Sequence, residues 1–434
     1  MKRLFALILL CHPLHLLADT SEIDRVAHQP KVRRALAFID AHERRTAEFL
    51  AAIAAIESPS GHERARAEAV AARMREIGLP DVSVDDAPNV VGIIPGRSPR
   101  ALVFTSTLDD LPDVAANQKA ATQPPHVAEG RVIGPGTHTA STDAALLAAA
   151  EAIVQSGIEP EQTLIFAAVS QEETGTIGMR KLYAQYKDTA TAFVDVTGAG
   201  PYIFYGALGI HWWKVVASGP EGHSLGGGLP NVNQAIARSV DRILSLQQDP
   251  AAHTVINVAM LQSGTVFNHK PADGWFSLDI RSGDNGRLEK IESDVRSILT
   301  QVSKETSIGL RMEPIIDTPA GQIPGARDSA LVLTARDIVK YLGLQPVLND
   351  WASANCNIPI AHGTPAICLA GERGGNRALP DEWADISVMT RMAKEILLLA
   401  ATLKPGADAG RPVALAPATA TGEESGRSIR IVSR

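Results

Sequence analysis

A chain of 434 residues with 45% hydrophobic content is long enough for a large core and for two domains. Its net charge of −7 leaves no basic footprint, and Lys and Arg are dispersed among acids instead of gathered into a stripe, which argues against a nucleic-acid partner.

The opening run MKRLFALILLCHPLHLLADT pairs a positive start at Lys2 and Arg3 with an apolar stretch that ends near Ala18. It reads as an export signal over residues 1–18, removed from the mature protein and directing it to the periplasm or the exterior. Leu16 stands where a small residue is preferred before cleavage, and Leu10 before Cys11 argues against a lipoprotein, so a retained anchor is the alternative. No later stretch is apolar for long enough to span a bilayer. Only Cys356 and Cys368 remain after cleavage; both read as small buried hydrophobes, and nothing in the sequence itself supports a disulfide between them.

From Val32 to Ile56 the apolar residues Leu36, Ile39, Phe49, Leu50 and Ile53 recur at helical spacing. The turn SPSGHE follows, with Ser60 as candidate cap of a second helix that stops at Gly78. Short apolar runs VVGII and ALVFTST predict strands, DAALLAAAEAIVQSG a helix, TLIFAAV a strand, GMRKLYAQY a helix and TAFVDV a strand. This alternation over residues 31–205 predicts an α/β domain whose functional groups lie at strand ends. Between residues 206 and 318 the order becomes strand (HWWKVVAS), helix (VNQAIARSVDRIL), strands (TVINVAML, GWFSLDIRS), helix (LEKIESDVRSILTQV) and strand (LRMEPII). That βαββαβ order is a ferredoxin-like unit, inserted at little topological cost because its ends lie close together. The helix SALVLTARDIVKYLG, the strand TPAICLA and the helix ISVMTRMAKEILLLAATL return the chain to the first domain over residues 319–404. Residues 405–434, rich in Ala, Pro, Gly, Thr and Ser without apolar periodicity, cannot repay their ordering entropy and are expected to be disordered.

Four segments in this order carry a specific resemblance: SQEETGTIGM, GPEGHS, SGTVFNHKPADGWFSLDIRS and GERGGNRALPDEW. Over Val32 to Leu403 the chain resembles the M20 family of zinc-dependent exopeptidases and amidohydrolases, in which the inserted unit is a lid and dimerisation domain. In such enzymes two zinc ions, held by five His, Asp and Glu side chains, polarise the scissile carbonyl and activate a bridging water that a glutamate deprotonates.

Carried over position by position, the resemblance places the ligand histidine of the HxD motif on Thr107, with the orienting aspartate kept as Asp109. The bridging aspartate falls on Thr139, the aspartate after the fourth strand on Thr197, and the terminal histidine on Ala378; Asn355 stands where an acid is usual. Glu172 matches the general base and Glu173 the one retained ligand. Threonine and alanine do not replace imidazole or carboxylate at zinc, and one carboxylate cannot hold the ion against water, so the standard dinuclear site is expected to be lost. A relocated site would have to draw on His138, Asp143, Asp109, Asp195 and His362, which sit near the lost positions in sequence. Asp195 lies two strand residues before Thr197 and is therefore displaced by about 6 to 7 Å.

Without a dication, the adjacent Glu172 and Glu173 either repel, so that one holds a proton, or find Lys or Arg partners. The resemblance implies that His223, Asn268 and Arg281 face the cleft and grip a substrate carboxylate or the developing oxyanion, with His223 reaching over from the partner of a homodimer. Arg281 has Asp279 or Asp284 as its alternative partner, and Arg373 and Arg377 add positive charge where a metal would have been. Three functions follow. The first, favoured by the four lost ligands, is an exported pseudoenzyme binding a peptide or N-acyl amino acid without a cofactor. The second is a hydrolase of peptide or N-acyl amino acid amide bonds with a relocated or single zinc. The third is a metal-independent acid/base enzyme using Glu172.

Overall fold

The computed structural model of the chain describes residues 21–405; the predicted export signal and residues 406–434 lie outside the described residues. The helical region predicted from Val32 is two helices, α2 (Pro30–Ala41) and α3 (Glu43–Ala54), preceded by α1 (Glu22–Ala27). His42, at φ −116°, ends one and begins the other, so the apolar stripe changes direction there. Helix α4 (Arg64–Glu76) ends before Gly78 as expected, at a φ of 89° that favours glycine. Ser60 does not cap it: its hydroxyl donates to Asp109 Oδ2 at 2.5 Å, a tertiary partner that outcompetes the local one.

Strands β1 (Asp81–Val84), β2 (Val90–Ile94) and β3 (Ser98–Thr107) come next, then α5 (Pro112–Ala120), α6 (Thr137–Ser156), β4 (Gln162–Val169), α7 (Ile177–Tyr186), β5 (Ala190–Val196) and β6 (Ala199–Phe204). Helix α6 starts at Thr137 instead of Asp143, so Thr139 lies in its first turn. Gly136 permits this start: it sits at φ 87°, and a Cβ there would meet the Ala54 carbonyl at 2.9 Å.

The chain then forms β7 (Gly209–Ser218), α8 (Val232–Leu244), β8 (Val255–Asn257), β9 (Asp273–Ser282), α9 (Asn285–Thr306) and β10 (Gly309–Thr318). These strands make a separate sheet ordered β8-β9-β7-β10, the order in which a βαββαβ chain packs both helices on one face, and Leu261–Ser263 pairs with β9 as a fifth strand, so the predicted strand TVINVAML is broken after Asn257. Its core of Val215, Ile236, Phe276, Leu278, Ile280 and Leu299 is drawn from within the unit. Helix α10 (Ala330–Tyr341), β11 (Val347–Asn349), α11 (Asn357–Ala361), β12 (Ala366–Glu372) and α12 (Ile386–Thr402) complete the described chain.

The main sheet is ordered β1-β2-β4-β3-β5-β12-β6-β11. Its central strands β4, β3, β5 and β12 run parallel, with Thr107 beside Val169 and Leu369 beside Val196, so their carboxyl ends converge on one edge. Side-chain alternation assigns Leu102, Phe104, Leu164, Phe166 and Val194 to the face covered by α6 and α12, and Val103, Ile165 and Phe193 to the face covered by α7 and α11. This is a mixed α/β fold covered on both faces. Among the described residues no helix is long and apolar enough to cross a membrane.

Two features were not legible in the periodicity. Cys356 and Cys368 form a disulfide that ties the turn before α11 to β12. Residues Gly374–Gly375, Trp383–Asp385, Arg131–Ile133 and His126–Ala128 make a small four-stranded sheet. It clamps the last loop of the chain against the start of α6, with Gly134 N donating to the Glu382 carbonyl at 2.7 Å and Asp385 N to the Arg373 carbonyl at 2.8 Å.

Candidate functional site

At the converging strand ends, Asp109 is fully buried and organises the segment after β4. Its two oxygens accept from the backbone N–H groups of Glu172 and Glu173, each at 3.0 Å, and from the Ser60 hydroxyl. Burial raises the Asp109 pKa to about 6, although these hydrogen bonds pull it down. The aspartate kept from the HxD motif thus holds the glutamate pair in place. Gln171 and Thr176, on either side of the pair, both occupy the left-handed region at φ 54° and 55°, a cost that non-glycine residues bear at over-determined sites.

The positions that the resemblance assigns to metal ligands are engaged in ordinary hydrogen bonds. Thr107 Oγ1 accepts from Asn355 Nδ2 at 3.1 Å, and Thr197 Oγ1 donates to the Leu369 carbonyl at 3.0 Å. The Thr139 carbonyl accepts from the Thr142 hydroxyl, and Ala378 has no side-chain donor at all. Ala378 sits at φ 65°, held by Glu382, whose carboxylate accepts from Ala378 N at 2.9 Å and from His138 N at 2.8 Å. Glu382 is a residue that sequence reasoning passed over. Its signal was an acid within the last motif, and its role is to join that loop to the N-terminus of α6, where a carboxylate is favoured. Burial raises its pKa despite those two bonds. Ala378→Gly is expected to raise stability by about 1 kcal/mol by removing left-handed strain, read as a higher urea midpoint. A lower midpoint would show that the strain is not there.

Charge at the site comes from two arginines. Arg377 Nη2 meets Glu173 Oε1 at 2.7 Å, so the one retained ligand position carries a guanidinium partner. Arg373 lies in the field of Arg377, Glu172, Glu173 and Asp195; burial, followed by Arg377, lowers its pKa to about 10, and it remains a cation. The His138 pKa is lowered well below the usual imidazole value, first by burial and then by Arg373 and Arg377, and its buried Nδ1 has no partner. Glu172 is driven the other way. Desolvation first, then Glu173, Asp109 and Asp195, raise its pKa well above the ordinary range, with Arg373 opposing.

A dinuclear zinc centre does not fit this donor set. Three ligand positions offer neutral hydroxyl side chains, one offers methyl, and the remaining carboxylate is paired with arginine. Nor, among the described residues, do His138, Asp143, Asp109, Asp195 and His362 bring three ligand atoms to one point. Asp143 accepts from Ser106 at 2.6 Å, Asp195 from Thr105 at 2.7 Å, and His362 bonds the Ile358 carbonyl while packing against Tyr183.

Beside the pair is a cleft of about 110 Å³, lined by Glu172 and Glu173, by Ile210, Trp212 and Ile316 of the inserted unit, and by Ile358 of α11. Arg281 also lines it, but both Asp279 oxygens hold its Nε at 3.0 Å, and its Nη1 donates to Ser353 Oγ across the two units at 2.7 Å. The indole Nε1 of Trp212 is buried without a partner. His223 and Asn268 bond to each other at 3.3 Å where the short exposed strands Gly222–His223 and His269–Lys270 pair, and neither is among the residues lining this cleft.

A model of peptidase family M20/M25/M40 matches residues 103–402. No curated protein matches the chain. Among solved structures, a tripeptidase from Staphylococcus aureus aligns at TM-score 0.67 and 18% identity, over 83% of this chain and 98% of its own. A dipeptidase from Saccharomyces cerevisiae aligns at 0.67 and 14%, over 86% and 99%. A dinuclear metal binding M20 peptidase from Bacillus subtilis aligns at 0.60 and 15%, over 84% and 100%. At these identities the likeness is one of fold.

Proposed function

Since the chain belongs to peptidase family M20/M25/M40, we propose that it is an exported binding or regulatory homologue whose cleft takes a peptide or N-acyl amino acid without dinuclear zinc chemistry. The observation that carries this reading is the Arg377–Glu173 pair: a guanidinium meets the one ligand position that kept its carboxylate. Arg373 beside it supplies fixed positive charge for a ligand carboxylate, and Glu172, whose pKa is pushed up by burial and by its acidic neighbours, is suited to donate to a ligand carbonyl. The apolar wall of Ile210, Trp212, Ile316 and Ile358 suits a side chain or acyl group. Solved relatives that are a tripeptidase and a dipeptidase support the peptide class. A disulfide in the core supports export to an oxidising compartment. The exposed His223–Asn268 pair, absent from the cleft of its own chain, suits a role across a homodimer.

A second reading rests on one observation. Glu172 lines the cleft, and burial and the neighbouring acids push its pKa up, as a general acid requires, so the chain is alternatively a metal-independent acid/base enzyme. Metal content by mass spectrometry, with an assay on dipeptides and N-acetyl amino acids and Glu172→Gln as control, separates the two. The binding reading expects no stoichiometric zinc and no turnover, with calorimetric binding of panel members weakened at least tenfold by Arg377→Ala and by His223→Ala. About two zinc per chain with Glu172-dependent cleavage would overturn it. Turnover without metal that is lost in Glu172→Gln would establish the second reading.

A further inference from the structure

We propose a redox-gated metal site beneath the cleft, formed by Cys356, Cys368 and Asp195 in the dithiol state and taking a soft divalent cation of the zinc class. Both sulfurs and a carboxylate oxygen of Asp195 lie within 4.8 Å of one another. All three residues are buried, at 0, 2 and 1% exposure. They come from separate, rigidly registered elements: Asp195 on β5 pairs directly with Cys368 on β12, and Cys356 precedes α11. Asp195 Oδ2 lies 3.7 Å from the Cys368 sulfur.

The surroundings favour a cation. Asp195 accepts from the Thr105 hydroxyl, the Asn355 amide and the backbone N–H groups of Asn355 and Cys356, all neutral; Arg373 acts on it only through its field, and among the described residues no cationic side chain bonds to it. Asn355 is itself fully buried, and its Oδ1 has no partner, which leaves a neutral oxygen next in sequence to Cys356. Two thiolates and a carboxylate are a donor set zinc prefers, and this site shares no residue with the lost dinuclear centre at Thr107, Thr139, Thr197 and Ala378.

The chemistry balances as follows. A dithiol reductant delivers two electrons and two protons to the Cys356–Cys368 bond, which breaks to two thiols while the reductant closes its own disulfide. The cation then displaces one proton from each thiol, and both protons go to solvent. Reoxidation passes two electrons from the thiolates to a disulfide donor, whose own S–S bond breaks and takes two protons from solvent, while the Cys356–Cys368 bond reforms and the ion is released. Asn357 and Ile358, which follow Cys356 in sequence, line the cleft, so the site adjoins it. The proposal is independent of whether the cleft binds or catalyses.

The test uses the full chain in two forms, one prepared from a reducing cytosol and kept under a phosphine reductant, the other oxidised. Zinc is measured by mass spectrometry, and cobalt(II) is titrated in for its thiolate charge-transfer absorption. The reduced chain is expected to hold about one ion per chain with that absorption, and the oxidised chain none. Asp195→Asn should weaken cobalt affinity at least tenfold, and Cys356→Ser with Cys368→Ser should abolish the absorption. A reduced parent without thiolate–cobalt absorption overturns the proposal, whatever the folding of the variants; so does equal uptake by the oxidised form or by the double serine variant.

Discussion

Asp143→Asn is expected to make the chain more stable at pH 8 and to flatten the dependence of stability on pH. Asp143 is fully buried on α6; its Oδ1 accepts from the Ser106 hydroxyl and its Oδ2 has no partner. Burial raises its pKa from 3.8 to about 7, against the opposing pull of Ser106 and Arg66, with Asp110 and Asp109 pushing it further up. The unfolded chain therefore releases this proton near pH 4, while the native chain keeps it to about pH 7. Between those limits the native state binds more protons, so stability falls as pH rises through the window and is level above it. The difference of about three units corresponds to about 4 kcal/mol. Asparagine keeps the acceptor for Ser106 and has no charge to bury. Asp109 and Asp195, each raised to about 6, act in the same direction, so the variant retains part of the slope. Urea midpoints at pH 5 and pH 8 check this: a parent that is more stable at pH 8, or a variant with an undiminished slope, would sink the idea.

Arg66→Met is expected to cost about 3–5 kcal/mol at neutral pH because it leaves the Asp110 carboxylate buried and unpaired. Arg66 is fully buried; it reaches Asp110 Oδ2 at 2.6 Å, the Leu108 carbonyl at 2.9 Å and the Ile56 carbonyl at 2.7 Å. These contacts grip the residues on either side of Asp109, which in turn holds the backbone of Glu172 and Glu173. Combining Arg66→Met with Asp110→Leu removes both charges and should recover much of the loss. Denaturant titrations of the two single variants and the pair form the cycle. A loss under about 1 kcal/mol in Arg66→Met would show that the buried ion pair is not what anchors this segment.

Much of the fold was legible because amphipathic period is a local property. The strands VVGII, ALVFTST and TLIFAAV stand where their patterns put them, and the βαββαβ order recurs, except that TVINVAML is broken into Val255–Asn257 and Leu261–Ser263. The misreadings share one cause. Ser60 was a reasonable cap by its neighbours, but its hydroxyl found Asp109, far away in sequence. Helix α6 starts at Thr137 because Gly136 permits a left-handed turn against Ala54, which periodicity does not encode. The clamp of the last loop through Glu382 depends on two-residue and three-residue strands that carry no periodic signal.

By itself the sequence determined the scaffold and, through the resemblance, assigned Thr107, Thr139, Thr197 and Ala378 to metal-ligand positions, side chains that do not replace imidazole or carboxylate at zinc. Only the tertiary structure decided the replacement. That Arg377 meets Glu173, that Asp109 holds the glutamate pair, and that Cys356 and Cys368 close a disulfide beside Asp195 all follow from which strand ends converge. Hydrogen bonds and ion pairs act over a few ångström, and residues that distant in sequence reach that range only through the register of the folded sheet.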